Sequence, residues 1–258
     1  MLVLLPPSEG KTAPTAGPPV DLVRLSHPGL TDHRRAVLAA LTTVSAHPDA
    51  LATLGVGPSL AREVAANTRL AEVPTARAAE VYTGVLYAAA GLAGLEGADR
   101  AAAERRVRIV SALWGVLTPE DAVPAYRLSM GTDLPGIGPL ARAWRPHLAD
   151  ALDRSACDRL VVDCRSAAYA AAWSPPSGGP GRVTVRVVDA AGKVVSHHAK
   201  HTRGVLARHL VTRAGKEPAT VGDVVAAAGE LTGAGGPLGG VEVAPGARGS
   251  AVLTLRLR

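Results

Sequence analysis

Residues 108–117 read Arg-Ile-Val-Ser-Ala-Leu-Trp-Gly-Val-Leu and close on Thr118-Pro119. A nearly continuous apolar run of this length, bounded by a turn signal, predicts a central strand buried on both faces. Leu2–Leu5, stopped by Pro6-Pro7, and Leu160–Cys164 predict two more short buried strands. Arg182–Val188 alternates cleanly, Ala191-Gly192 supplies a turn and Lys193–Ser196 returns, the pattern of an antiparallel hairpin. Ser250–Leu257 alternates as a closing edge strand, and the glycine-rich 229–246 stretch reads as a loop.

Between these strands apolar residues recur at helical spacing. The expected helices are Thr31–Leu54 with Thr31 as N-cap, Ser59–Leu70, Ala76–Leu95 with Gly84 as its weak point, Ala98–Val107, Leu140–Asp153, Ser166–Trp173 and Arg203–Arg213. Strands mixed with helices predict an α+β or mixed α/β fold, with a mixed central sheet flanked by helices in a single domain over residues 1–258. A chain of 258 residues can bury one large core, and with no Phe and three Trp that core must be mostly Leu, Val and Ala.

The formal charge of +6 favours anionic partners: nucleic acid, nucleotides or phosphorylated metabolites. Two cysteines make neither a disulfide framework nor a zinc site, so no metal and no cofactor are expected, and a reducing cytoplasm fits. The first five residues are apolar without a basic flank, which predicts neither a signal peptide nor a membrane span.

Gly10-Lys11-Thr12 after a strand invites a phosphate-loop reading, but that template would put its first glycine at Leu5 and needs amides that Pro6 and Pro7 lack. What remains is a Ser8/Lys11 pair at a strand end. Tyr126-Arg127-Leu128-Ser129-Met130-Gly131-Thr132 concentrates an arginine and hydroxyls, unless Arg127 merely pairs with a carboxylate such as Asp121. His197, His198 and His201 lack a nearby carboxylate or thiol and fit a cationic patch better than a metal site. In that patch Lys200, His201, Arg203 and Arg208 lie where a strand runs into a helix opened by Arg203, with Gly204 permitting close approach. Asp163-Cys164-Arg165-Ser166 is a weaker strand-end candidate, and Leu134–Gly138 reads as a plain turn because no good helix precedes it. Hydrolase-elbow, zincin and dinucleotide fingerprints are absent from the sequence.

Taken in order, five segments resemble the peroxide stress protein YaaA family: Pro6–Thr12, Val81–Gly84, Ser111–Pro119, Pro124–Thr132 and Ala199–Gly204, a likeness running over residues 1–213. The resemblance implies a stress-induced cytoplasmic protein that limits iron-driven oxidative damage and binds DNA, on a mixed fold containing a helix-hairpin-helix. Where that hairpin would fall, this chain reads Leu70-Ala71-Glu72-Val73-Pro74.

Two functions of different class follow. A nucleic-acid binder would use Arg127, Ser129, Lys200, His201, Arg203 and Arg208 along a basic cleft. An enzyme acting on a small anion, a nucleotide or a phosphorylated metabolite, would draw on Ser8, Lys11, Tyr126 and Lys200 for nucleophile or proton transfer and on the arginines as a clamp. A groove of duplex width marks the first, and a pocket of a few hundred cubic ångströms the second.

Overall fold

Strand β1 (Leu2–Leu5) has no exposed residue, so it needs a paired strand on each edge and cover on each face. In the computed structural model, which describes residues 1–176 and 178–258, those edges are taken by β2 (Val107–Ser111) and by a later strand, both parallel to it. Including β3 (Gly115–Leu117), β4 (Val161–Asp163), β5 (Arg182–Val188), β6 (Leu238–Pro245) and β7 (Ala251–Leu257), the sheet runs β6-β7-β5-β4-β1-β2-β3. The five inner strands are parallel; β3 and β6 close the edges antiparallel.

The helices are α1 (Thr31–Ser45), α2 (Ala50–Thr53), α3 (Ala61–Ala66), α4 (Ala78–Val81), α5 (Val85–Ala90), α6 (Gly97–Arg106), α7 (Leu140–Cys157), α8 (Ala167–Ala170), α9 (Ser196–Thr212) and α10 (Val221–Gly229). They flank the sheet, α7 against β3, α9 against β5 and α10 against β6. One core cluster joins strands and helices from Met1 to Leu255, as a mixed α/β domain requires. Among the described residues no helix is long and apolar enough to cross a membrane.

Several expected elements differ. The 108–117 run is not one strand but two, folded back at Ala112–Trp114, with Gly115 at φ +72° where a Cβ would meet the Trp144 ring. The helix expected over 31–54 stops at Ser45, shortly before Pro48, and Thr31 does not cap it: its hydroxyl donates to the Leu22 carbonyl. Over 76–95, Gly84 at φ +116° breaks the helix into α4 and α5. The hairpin expected over 182–196 shrinks to a Val188/Val194 bridge, because the chain enters α9 at Ser196 and β5 finds parallel partners. That start also puts Arg203 two turns inside α9, not at its opening. The 229–246 glycine-rich stretch holds β6, so β6 and not β7 is the edge. Leu134–Gly138 is a turn between two-residue strands, as expected.

The reversal at 112–114 is fully buried, so its backbone groups need protein partners. Ser111 Oγ accepts from the Leu113 and Trp114 amides at 3.2 and 3.0 Å, and Trp144 Nε1 donates to the Ala112 carbonyl at 2.8 Å. The fully buried Arg34 donates to the carbonyls of Trp114 (2.9 Å), Val116 (2.8 Å), Ser26 (2.7 Å) and His27 (3.3 Å). Each buried carbonyl left unpaired costs about 1–3 kcal/mol. Arg34→Met, which keeps the volume but removes the donors, is therefore expected to lower unfolding free energy by at least about 2 kcal/mol in urea denaturation. A loss below about 0.5 kcal/mol, the ordinary surface range, would show that Arg34 does not hold the reversal.

Candidate functional site

Ligand sites in parallel sheets form beyond the carboxyl ends of the strands, and β1 and β2 end side by side. The chain leaving β1 is laced to the segment between α4 and α5: the Thr12 amide donates to the Val81 carbonyl at 2.9 Å, and the Thr83 amide to the Gly10 carbonyl at 3.2 Å. That ladder sets Lys11 opposite Tyr82. Ser8 lies against the bare face of Gly84, where a Cβ would come within 2.7 Å of its Oγ.

Lys11 is half-buried, and among the described residues its Nζ meets neither hydrogen-bond acceptor nor carboxylate. It stands on aromatic faces, 4.3 Å from the Tyr126 ring centre and 5.7 Å from that of Tyr82, within cation–π range. Burial, and next the neighbouring Arg127 charge, bring its pKa down from the usual lysine value to about 7.

Beneath it runs a chain of hydroxyls. Ser111 Oγ accepts two amides, so its own proton goes to Tyr126 Oη at 2.7 Å, and the Tyr126 hydroxyl then donates to Tyr82 Oη at 3.0 Å. Burial pushes both phenols above the usual tyrosine range, which keeps them neutral donors. Tyr126 is therefore the floor under Lys11, tied to the end of β2.

Two cavities share Lys11 as a wall. One, about 310 Å³, is polar and holds Ser8, Glu9, Arg127, Ser129 and Tyr169. The other, about 340 Å³, is mostly apolar, lined by Ala13, Pro14, Val73 and Pro74 with Glu63 and Tyr126. Arg127 and Glu63 face each other across them: Nε and Nη2 of Arg127 both donate to Glu63 Oε2, at 2.9 and 2.6 Å. The partner of Arg127 is thus Glu63 and not Asp121, whose carboxylate accepts from the Ser26 and Thr118 amides. Asn67 clamps the Arg127 backbone, donating to its carbonyl and accepting its amide, both at 2.9 Å. Leu70–Pro74, the hairpin region of the resemblance, supplies Val73 and Pro74 to the apolar wall.

The structure thus gathers Ser8, Lys11, Tyr126, Arg127 and Ser129. The other candidates lie on α9. Lys200 and His201 are exposed there, while Arg203 donates twice to the Val185 carbonyl at 3.2 and 2.8 Å and Arg208 donates to the Ala90 and Gly91 carbonyls at 3.2 and 3.3 Å. Gly204 allows close packing as expected, but of helix on helix: a Cβ there would overlap the Leu86 carbonyl of α5. Asp163 and Arg165 form a buried pair at 2.8 Å, joined by Arg182 at 2.8 Å, a structural knot. A cavity of about 880 Å³ between Ser174 and Ser250 has Arg182 as its one charged wall residue among those described.

Glu63, Tyr82 and Tyr169 belong to the site without having been singled out in sequence. Tyr82 sits in the Val81–Gly84 segment that the resemblance marked; Glu63 lies on a solvated helix with no local signal.

The family model described as peroxide stress protein YaaA matches residues 1–229. A UPF0246 protein of Streptomyces coelicolor is 47% identical over 215 residues, 82% of this chain and 83% of its own length. A UPF0246 protein of Corynebacterium efficiens is 44% identical over 232 residues, 87% of this chain and 90% of its own. Another, from Corynebacterium glutamicum, is 39% identical over 232 residues, 88% and 91% of the two chains.

Because Lys11 is held near 7 when folded and titrates near its usual 10.5 when unfolded, the unfolded chain binds more protons between those values. The cost of burying the ammonium is fully present below pH 7 and is relieved as pH rises toward 10.5. Lys11→Met is expected to be more stable than the parent at pH 6, with the gain shrinking steadily above pH 7 in denaturation series. A pH-independent difference would contradict the assigned burial.

Proposed function

This chain belongs to the peroxide stress protein YaaA family, and from that premise we propose that it serves the stress response as an enzyme acting on a small anionic substrate at the Lys11 site. The observation that carries this reading is a lysine without a hydrogen-bond partner among the described residues, its pKa brought down to about 7 by burial, on the wall shared by two cavities of a few hundred cubic ångströms. Arg127 is the anion clamp, its planar fork matching a carboxylate or phosphate. Ser8 and Ser129 line the same cavity as proton donors and acceptors, and Lys11 supplies the neutral amine. The proposed compartment is the cytoplasm, supported by two free cysteines, Cys157 and Cys164.

A second reading, nucleic-acid binding, has one observation in its favour: Lys200 and His201 stand exposed and adjacent on α9 of a chain with net charge +6. Gly204 lies at Leu86 and Arg208 at Ala90–Gly91, so α9 follows α5 in the same direction, with the exposed Lys200 one turn before Gly204. On this reading Lys200 and Arg127 would track phosphates along a basic cleft.

A thermal-shift screen with inorganic phosphate, nucleoside monophosphates and small carboxylic acids separates the two. A bound anion at a hundredfold excess over Kd stabilises by about 2.7 kcal/mol. Wild type is expected to gain that stability with at least one of these anions and Arg127→Ala to lose most of it. Alongside, duplex DNA affinity is titrated against salt for wild type, Lys200→Ala and Arg127→Ala. No anion-dependent shift, together with a salt slope lowered by about 0.9 in each variant, would replace the enzyme reading with the nucleic-acid one.

A further inference from the structure

The Arg127–Glu63 pair shows where an anion sits. Glu63 is exposed on α3, yet its carboxylate enters the apolar cavity and one oxygen takes two donors of Arg127. The Arg127 end of the pair is largely buried and the Glu63 end is half open to solvent, so a carboxylate that takes the place of Glu63 keeps the guanidinium paired while Glu63 returns to water. The charges of Arg127 and Glu63 are both felt at Lys11, so the anion position lies beside the amine.

What the amine meets is equally specific. A lysine used only to bind an anion would be charged and hydrogen-bonded, whereas Lys11 is held over two neutral phenol rings without an acceptor. Desolvation of this kind leaves a fraction of the amine unprotonated near neutral pH, the form able to attack a carbonyl carbon. Serine hydroxyls stand on one side of it, in the cavity of Arg127, and an apolar wall on the other.

We infer that the two cavities together take a small α-oxo acid, whose carboxylate displaces Glu63 from Arg127, whose carbonyl carbon condenses with the Lys11 amine, and whose apolar substituent lies along Pro14, Val73 and Pro74. This assignment rests on the small-anion reading above and names its substrate class. In the step itself the nitrogen lone pair forms the C–N bond while the carbonyl π pair moves onto oxygen, and one of the two nitrogen protons passes to that oxygen, giving a neutral carbinolamine. A second proton, relayed by Ser8 or Ser129, lets that hydroxyl depart as water and leaves a protonated imine. No redox change occurs, and the iminium charge replaces that of the ammonium over the tyrosine faces.

The chain has four lysines, Lys11, Lys193, Lys200 and Lys216, which makes trapping decisive. Intact protein is incubated with pyruvate or phenylpyruvate and sodium cyanoborohydride, whose hydride reduces the imine to a secondary amine, and adducts are mapped by peptide mass spectrometry. The expected adduct, the acid less one oxygen, sits on Lys11 and not on the other lysines or the amino terminus. Phenylpyruvate should label faster than pyruvate, Arg127→Ala should slow labelling by about tenfold or more, and Glu63→Gln, which frees the clamp and removes a charge that favours the ammonium of Lys11, should speed it. Equal labelling of all lysines, labelling confined to another lysine, or rates indifferent to both variants would overturn the inference. If either acid raises Tm in an Arg127-dependent way while Lys11 stays unlabelled, the imine fails and the anion site stands; if no anion from either experiment shifts Tm and Lys11 is unlabelled, both fail.

Discussion

A chain reversal buried in the middle of a protein carries amides and carbonyls that water cannot reach, and each must find a partner inside. The reversal at Ala112–Trp114 finds its partners in three side chains from three places: Ser111 from the strand it ends, Trp144 from α7 and Arg34 from α1. Meeting that requirement fixes two helices against the β2–β3 edge of the sheet. It also determines which way the Ser111 proton points, since both lone pairs of that hydroxyl are occupied. The proton goes to Tyr126, so the same satisfaction that closes the core anchors the floor of the site.

Charge is treated in two opposite ways within this fold. Asp163 is buried, which by itself raises a carboxyl pKa, but Arg165 and Arg182 hold it below the usual range. Among the described residues Arg34 has no carboxylate at hydrogen-bond distance, yet it satisfies itself on backbone carbonyls. Lys11 has neither solution. Desolvation and the Arg127 charge act on it together, opposed by the aromatic faces and by the charges of Glu63 and Glu9, neither of which bonds to it.

Much of the fold was legible in local patterns because apolar strands and helical periodicity record burial directly. β1, β4, α6 and α7 fall close to where the run lengths put them. The errors share a cause: they lie where a long-range partner overrules a local pattern. Residues 193–196 look like a returning strand until β5 is seen to have parallel neighbours on both edges, and the glycine-rich 229–246 stretch looks like a loop until β7 offers it a ladder. The 108–117 run conceals its turn because Ser111, Trp144 and Arg34 supply what turn residues would normally show.

The sequence by itself determined the alternation of strand and helix, the cationic balance, and the marking of Ser8, Lys11, Tyr126, Arg127, Ser129, Lys200, His201, Arg203 and Arg208 as chemistry-bearing residues. Those properties depend on residue type and spacing, which are local. Only the tertiary structure decided that Lys11 stands on Tyr82 and Tyr126, that Arg127 meets Glu63 from another helix, and that Arg203 and Arg208 bind backbone carbonyls while Lys200 and His201 face outward. The reason is physical. Whether a cation is a clamp, a helix tie or a reactive amine depends on the acceptors and the dielectric around it, and both are set by residues distant in the chain.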